Sequence, residues 1–115
     1  MDSLTFLPDR TPTTDRDDYY AALATYRDGG VFAAHYAGSS SWERHPNGDE
    51  IVLVLQGHTT LILLIDAEEV AYELSPMEFL IVPQGLWHRF ETPDAVKVVS
   101  VTPQPTDHQL DRPSD

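Results

Sequence analysis

Apolar residues occur in this chain as short runs that are rich in β-branched and aromatic side chains and bounded by turn residues. This pattern is typical of strands. The turns contain Asn47-Gly48, Gln56-Gly57, Pro83-Gln84-Gly85 and Pro93-Asp94. The predicted strands are Val31–Ala37, Ser41–His45, Glu50–Gln56, Thr59–Ile65, Glu69–Leu74, Glu78–Val82, Trp87–Glu91 and Val96–Val101. Strands so closely spaced, with no helix between them, predict an all-β antiparallel sandwich or barrel over residues 31–102.

Residues 1–30 have a different texture and predict an N-terminal arm followed by a short helix. Thr14 is a suitable N-cap, and acidic residues crowd the first turn, where the helix dipole favours them. Three residues then share one helical face at i, i+4 and i+7: Tyr19, Leu23 and Tyr26. Gly29 and Gly30 are suited to end the helix.

The C-terminal residues 103–115 are polar and rich in proline, without a period, and predict a flexible tail. The chain therefore reads as one barrel domain, 31–102, between an N-terminal arm with its helix and a tail.

Two predicted strands are apolar on both faces, which a simple barrel with a wet exterior does not explain. They are the segments IVLVL, from Ile51, and LILLI, from Leu61. A second sheet, the N-terminal helix or another subunit must cover their outer faces. We expect a homodimer.

The composition narrows the function classes. The 115 residues include 19 acidic and 7 basic side chains, a formal net charge of −12, and 41% are hydrophobic. Nucleic acids and anionic membranes both attract clustered Lys and Arg, so neither is an expected partner. There is no Cys, which excludes disulfides and thiol chemistry. No apolar stretch has the length of a signal peptide or a membrane span, which predicts a soluble cytoplasmic protein.

Candidate chemistry lies in two segments. In WERHPNGDE, Glu43 and His45 are two residues apart and share one face of a strand. Asn47-Gly48 then predicts a tight reversal, and Glu50 begins the returning strand opposite His45. In VPQGLWHRF, a turn is followed by His88 near the start of a strand. If His88 faces inward, it joins the other three.

These two segments resemble the two motifs of the cupin superfamily. Glu43-x-His45, four residues, Glu50, six residues and Gly57 match the first motif, which usually begins His-x-His. Pro83-x-Gly85-x-x-His88 matches the second. The resemblance covers about residues 31–102. It implies a double-stranded β-helix (jelly-roll) barrel, often dimeric, with a metal ion near one open end.

The sequence departs from the family pattern at three positions. Met77 and Thr92 replace a Gly and an Asn in turns, whereas Glu43 replaces a His ligand. The resulting set is two imidazoles and two carboxylates: Glu43, His45, Glu50 and His88. Two unpaired carboxylates in a confined interior repel each other and are costly, and a divalent cation would balance them. Iron, manganese, nickel, cobalt and zinc all suit imidazole with carboxylate. The alternative is a barrel without metal, with Glu43 turned outward.

Other residues are candidates for the cavity. Gln56, Phe79 and Phe90 are predicted to line it, and Glu43 or Glu50 is the candidate general base. His35 could line the cavity or face an interface or solvent, and we favour the second. The other two histidines, His58 and His108, are expected in solvent.

Three functions fit this reading. The first is a metal-dependent enzyme acting on a small organic molecule, as a dioxygenase, isomerase or lyase. The second is a non-catalytic module that binds a small ligand or senses a metal. The third is a purely structural role. Fold alone does not choose among them.

Overall fold

Antiparallel strands form one curled sheet in the computed structural model of the chain, which describes residues 18–114. The nine strands in these residues are β1 (Asp18–Tyr26), β2 (Gly29–Ser39), β3 (Trp42–Arg44), β4 (Glu50–Gln56), β5 (Thr59–Ile65), β6 (Glu68–Leu74), β7 (Phe79–Val82), β8 (His88–Pro103) and β9 (Asp107–Gln109). The prediction of an all-β fold is confirmed. Among the described residues, no helix is long and apolar enough to cross a membrane.

The long strand β8 joins the whole architecture. Its first residues pair with β5 and β3, and its later residues pair with β2 and β4. The strand is 16 residues long, so it can pair with β3 and β5 near its start and with β2 and β4 further along. His88, the first residue of β8, therefore lies where β3 and β5 meet.

The prediction of an N-terminal helix is wrong over the described residues, because β1 occupies that position and pairs with β2. The predicted arm and the Thr14 cap of the predicted helix fall within residues 1–17, which lie outside the described residues. Pairing along a whole neighbouring strand outweighs the helix propensity of the alanines. The glycines interpreted as a helix end instead begin β2. A Cβ at Gly29 would collide with the backbone carbonyl oxygen of Thr102, so Gly29 permits close contact with β8.

The predicted flexible tail contains the short strand β9, which pairs with β3. Arg44 Nε donates to Asp107 Oδ2 at 2.9 Å across this pair, and Glu43 lies opposite His108. The residues of this strand are polar, so they lack the apolar alternation by which strands are predicted from sequence.

The core explains one of the two strands that are apolar on both faces. In β5, Leu61 and Leu63 pack inward with Val52 and Val82. The opposite face of β5 is covered by two tryptophans of the same chain, in a cluster of Trp42, Ile62, Leu64 and Trp87. Arg44 and Arg89 lie over these indoles, with guanidinium carbons 4.6 Å from the Trp87 ring centre and 5.4 Å from that of Trp42. The outer face of β5 is therefore covered within the chain. On β4, by contrast, Ile51 stays exposed.

Two turn glycines adopt left-handed backbone conformations with different surroundings. Gly57 has φ +82°, and a Cβ there would collide with the carbonyl oxygen of Ala95. Gly85 has φ +78°, and a Cβ there would meet open space. A side chain at position 85 would therefore cost backbone strain alone, whereas one at position 57 would cost backbone strain and a steric collision.

We predict that Gly85→Ala lowers the free energy of unfolding by about 1 kcal/mol, the cost of the left-handed conformation. Gly57→Ala should lose about 1–3 kcal/mol more, because its neighbouring backbone must also shift. Urea unfolding followed by circular dichroism measures both. Equal losses in the two variants would contradict the assigned packing.

Candidate metal centre

Hydrogen bonds between two turns bring the two sequence segments together. The Gly85 amide donates to the carbonyl oxygen of His45 at 3.1 Å. Gln84 spans the same gap twice, from its amide to Asp49 Oδ1 and from its side chain to the Pro46 carbonyl, both at 2.8 Å. The turn before His88 is thus fixed against the turn after His45.

Both histidines are buried, and each has its Nδ1 atom engaged. His88 is 0% exposed, and its Nδ1 lies 3.0 Å from the carbonyl oxygen of Leu86. A carbonyl only accepts, so His88 Nδ1 carries the proton. Nδ1 of His45 lies 3.0 Å from Thr106 Oγ1. The Nε2 atoms are left to face the interior.

Glu50 occupies the space between the two rings. Its Oε2 accepts a hydrogen bond from Thr102 Oγ1 at 2.6 Å. Its Oε1 lies 3.3 Å from His45 Nε2 and 3.1 Å from His88 Nε2. Neither contact has the geometry of a hydrogen bond. The three atoms are therefore buried without a hydrogen-bond partner.

The charges of the site follow from this enclosure. Burial by itself raises the pKa of Glu50, but the two imidazoles outweigh burial and hold that pKa at about 2. Burial lowers the pKa of His88, yet the Glu50 carboxylate reverses the effect and raises it. The pKa of Glu43 is raised by burial and then by repulsion from Glu50. The buried carboxylate of Glu50 thus requires positive charge beside it.

The donor atoms fit a divalent cation. Ligand atoms of Glu43, His45 and His88 lie within 4.8 Å of one another, a group that could hold a metal ion. Glu50 Oε1 adds an unpartnered oxygen between the imidazoles. Two Nε2 lone pairs and a carboxylate oxygen converging without hydrogen bonds form a donor set suited to a transition metal.

A cavity of about 580 Å³ opens beside these residues. Predicted pocket residue Phe90 lines it, and so do Glu43, His45 and Glu50. Its aromatic wall contains a stacked pair, Tyr20 and Phe32, and an edge-on pair, Tyr36 and Phe90.

Phe79 and Gln56 do not line this cavity, contrary to the expectation from sequence. Val82 faces the core, so strand alternation turns Phe79 outward, where it is 59% exposed. Gln56 shares the parity of Glu50 in sequence, but an irregularity between Val54 and Gln56 breaks that parity. Gln56 is consequently exposed at the end of β4.

The remaining histidines lie in three environments. His58 is exposed as predicted, with Nδ1 3.3 Å from Ser75 Oγ. His35 is half-buried on β2 and does not line the cavity. His108, expected in solvent, is largely exposed but does line the cavity, with Nδ1 3.6 Å from Glu43 Oε2.

Sequence reasoning missed the contribution of the C-terminal segment. Gln104, Thr106 and His108 alternate along the chain and all line the cavity. This alternation is the sequence signal that could have placed the three residues on one face. The neighbouring prolines argue against a strand and so weaken that signal.

Comparison with known proteins agrees with this geometry. The cupin domain family matches residues 30–102, which is more than half of the chain, and the protein belongs to this family. Acireductone dioxygenase from Rhodopseudomonas palustris (strain TIE-1) is 33% identical over 61 residues, which is 53% of this chain and 36% of that relative. The alignment thus spans little more than a third of the length of the curated relatives it matches.

Solved structures share the fold. A cupin superfamily protein from Desulfitobacterium hafniense superposes with a TM-score of 0.67 at 23% identity, covering 83% of this chain and 84% of its own. Hydroquinone 1,2-dioxygenase from Sphingomonas sp. TTNP3, solved with 4-hydroxybenzoate bound, superposes with a TM-score of 0.61 at 17% identity. The superposition covers 77% of this chain and 65% of that one. Likeness at this identity establishes the fold alone.

We predict that Thr102→Val lowers the free energy of unfolding of the chelator-treated protein by about 1.5–3 kcal/mol, because a buried carboxylate loses its donor. Thr102→Ser keeps the hydroxyl and should retain most of the stability. Urea unfolding measures both variants. A Val variant as stable as the Ser variant would contradict the role assigned to Thr102.

Proposed function

We propose that this protein is a metal-dependent cupin dioxygenase of a small hydroxylated organic molecule. The observation that carries the proposal is the convergence of His45 Nε2, His88 Nε2 and Glu50 Oε1, all buried and without hydrogen bonds. Two histidines and one carboxylate are the ligand set of non-haem iron(II) oxygenases. A metal ion held there would supply Lewis-acid or dioxygen chemistry.

Two of the similar proteins are named as dioxygenases, and of these only the curated relative bears on the reaction class. The curated relative is called acireductone dioxygenase, and one of the structural neighbours is a hydroquinone dioxygenase. The likeness to the curated relative supports oxygen chemistry over isomerase or lyase chemistry for this chain. Iron, manganese, nickel, cobalt and zinc remain the candidate metals, and redox chemistry with dioxygen favours the first two.

Glu43 fits the role of general base better than Glu50. Oε2 of Glu50 accepts a hydrogen bond from Thr102, and Oε1 lies between the two imidazoles, where it would bind the metal. Glu43 is 28% exposed in its side chain and lines the cavity, so its carboxylate can reach a bound molecule. Glu43 can therefore accept a proton from a substrate hydroxyl while the other three residues hold the metal.

The cavity wall favours a small molecule with a flat apolar body. The rings of Tyr20 and Phe32 stack at 5.6 Å, and those of Tyr36 and Phe90 meet edge-on at 5.8 Å. Within residues 18–114, neither Lys nor Arg lines this cavity. A multiply charged anion would thus find no positive side chain in the wall, whereas one oxygen donor could bind at the metal.

We predict one equivalent of transition metal per chain in protein purified without chelator, measured by inductively coupled plasma mass spectrometry. His88→Ala and Glu50→Gln should each lose most of it, since each removes a converging donor. The exposed Glu73→Gln is the matched control and should keep full occupancy. Metal content that is zero in the wild type, or equal in all variants, would contradict the proposed site.

The activity itself is tested by oxygen uptake. Wild-type protein loaded with iron(II) or manganese(II) is mixed with a panel of small enolic and dihydroxylated aromatic compounds, and oxygen consumption is followed with an electrode. The proposal expects uptake that His88→Ala abolishes. Ligand binding without uptake by the loaded wild type would favour the non-catalytic binding module instead.

We also propose a homodimer formed through the outer face of β4 and β7. Ile51 lies directly opposite Ile81, and Leu53 lies opposite Phe79. Ile51, Ile81 and Phe79 are each more than a third exposed. A contiguous apolar face of this kind is covered most simply by the same face of a second copy, across a twofold axis.

We predict that Ile81→Glu converts a dimer into a monomer, because a carboxylate would be buried in the apolar contact. Sedimentation velocity measures the change. Leu110→Glu, on an exposed residue away from β4 and β7, is the control and should leave the dimer intact. A monomeric wild type would contradict this proposal.

A further inference from the structure

The cavity has a wall that lies outside the matched cupin domain. Gln104, Thr106 and His108 line it, and all three follow residue 102. The segment is held at two points beyond its pairing with β3. The Gln104 amide donates to the Asp28 carbonyl at 3.2 Å, and Asn47 Nδ2 donates to the Gln104 carbonyl at 3.1 Å.

Thr106 makes the most informative contact of this wall. Its Oγ1 lies 3.0 Å from His45 Nδ1 and 3.4 Å from Gln104 Oε1. A hydroxyl has one proton to donate, and the amide oxygen of Gln104 can only accept it. Oγ1 then accepts from His45 Nδ1–H, and this leaves the Nε2 lone pair of His45 facing Glu50.

The two imidazoles are therefore oriented in different ways. His88 donates to a carbonyl only two residues away in sequence. His45 depends on a hydroxyl 61 residues away, supplied by the C-terminal segment. The first orientation is built into a local turn, whereas the second exists only when residues 104–109 are docked.

We propose that Thr106 is a positioning residue that completes the metal centre by fixing the Nδ1–H form and ring orientation of His45. This inference rests on the proposed metal-binding function. Metal-binding histidines generally donate their second ring nitrogen to an outer partner, and removal of such a partner weakens metal binding by about 10–100-fold. The C-terminal segment thus couples its own docking to metal affinity.

The test measures Mn²⁺ affinity of the full-length chain by isothermal titration calorimetry. Thr106→Val keeps the side-chain shape and removes the hydroxyl, so we expect a dissociation constant raised about 10–100-fold. Thr106→Ser restores the hydroxyl and should bind nearly as the wild type does. Asp107→Asn removes the ion pair with Arg44 on the same segment and should have little effect.

These variants separate the two proposals. If the wild type binds Mn²⁺ and His88→Ala does not, but Thr106→Val binds normally, the metal site stands and the role of Thr106 is overturned. Equal weakening in Thr106→Val and Thr106→Ser also overturns it, because the hydroxyl that Ser retains would then not be the group that matters.

A second measurement does not depend on metal. In the metal-free protein, the Nδ1–H proton of His45 should give a slowly exchanging ring signal in ¹H–¹⁵N spectra. We expect this signal in the wild type and in Thr106→Ser, and its loss in Thr106→Val. If the wild type binds no Mn²⁺, the proposed function fails, and this signal still decides the inference. An unchanged signal in Thr106→Val would overturn it.

Discussion

The buried carboxylate of Glu50 is the constraint on which the rest of the site depends. An ionised carboxylate in a protein interior is costly unless positive charge and hydrogen bonds compensate it. Thr102 supplies one hydrogen bond, and the two imidazoles approach the other oxygen. Without metal, the raised pKa of His88 favours a proton on that imidazole beside the carboxylate. A divalent cation would satisfy the same requirement with more charge and would use the unpartnered atoms of His45, Glu50 and His88.

Strand β8 supplies two of the groups that surround the Glu50 carboxylate. Its first residue is His88, and Thr102, near its other end, donates to Glu50 on the adjacent β4. A single strand thus contributes a ring at one end and the hydroxyl that fixes Glu50 at the other. Both ends of the strand reach the Glu50 carboxylate, and β3 adds Glu43 opposite His88.

Much of the site could be predicted from the sequence, because the spacing of local motifs determines which face a strand residue occupies. His45, Glu50 and His88 converge as their parity and turns predict. Phe79 was misplaced because the inner face of β7 is set by Val82, which short apolar runs do not reveal. Thr106 and His108 could not be foreseen, since their roles depend on pairing between β9 and a strand more than 60 residues earlier. The prediction for the N-terminal segment is wrong because its alanines suit a helix as well as the strand β1. The paired glycines likewise suit a helix end as well as the start of β2, which packs closely on β8.

The central claim is that one metal ion lies between two imidazoles and Glu50. Anomalous diffraction tests it most directly, on crystals grown with cobalt(II) and measured at the cobalt absorption edge. The account predicts one strong peak per chain within bonding distance of His45 Nε2, His88 Nε2 and Glu50 Oε1. Cobalt bound only at surface carboxylates or at His108, with no peak among these three atoms, would contradict it.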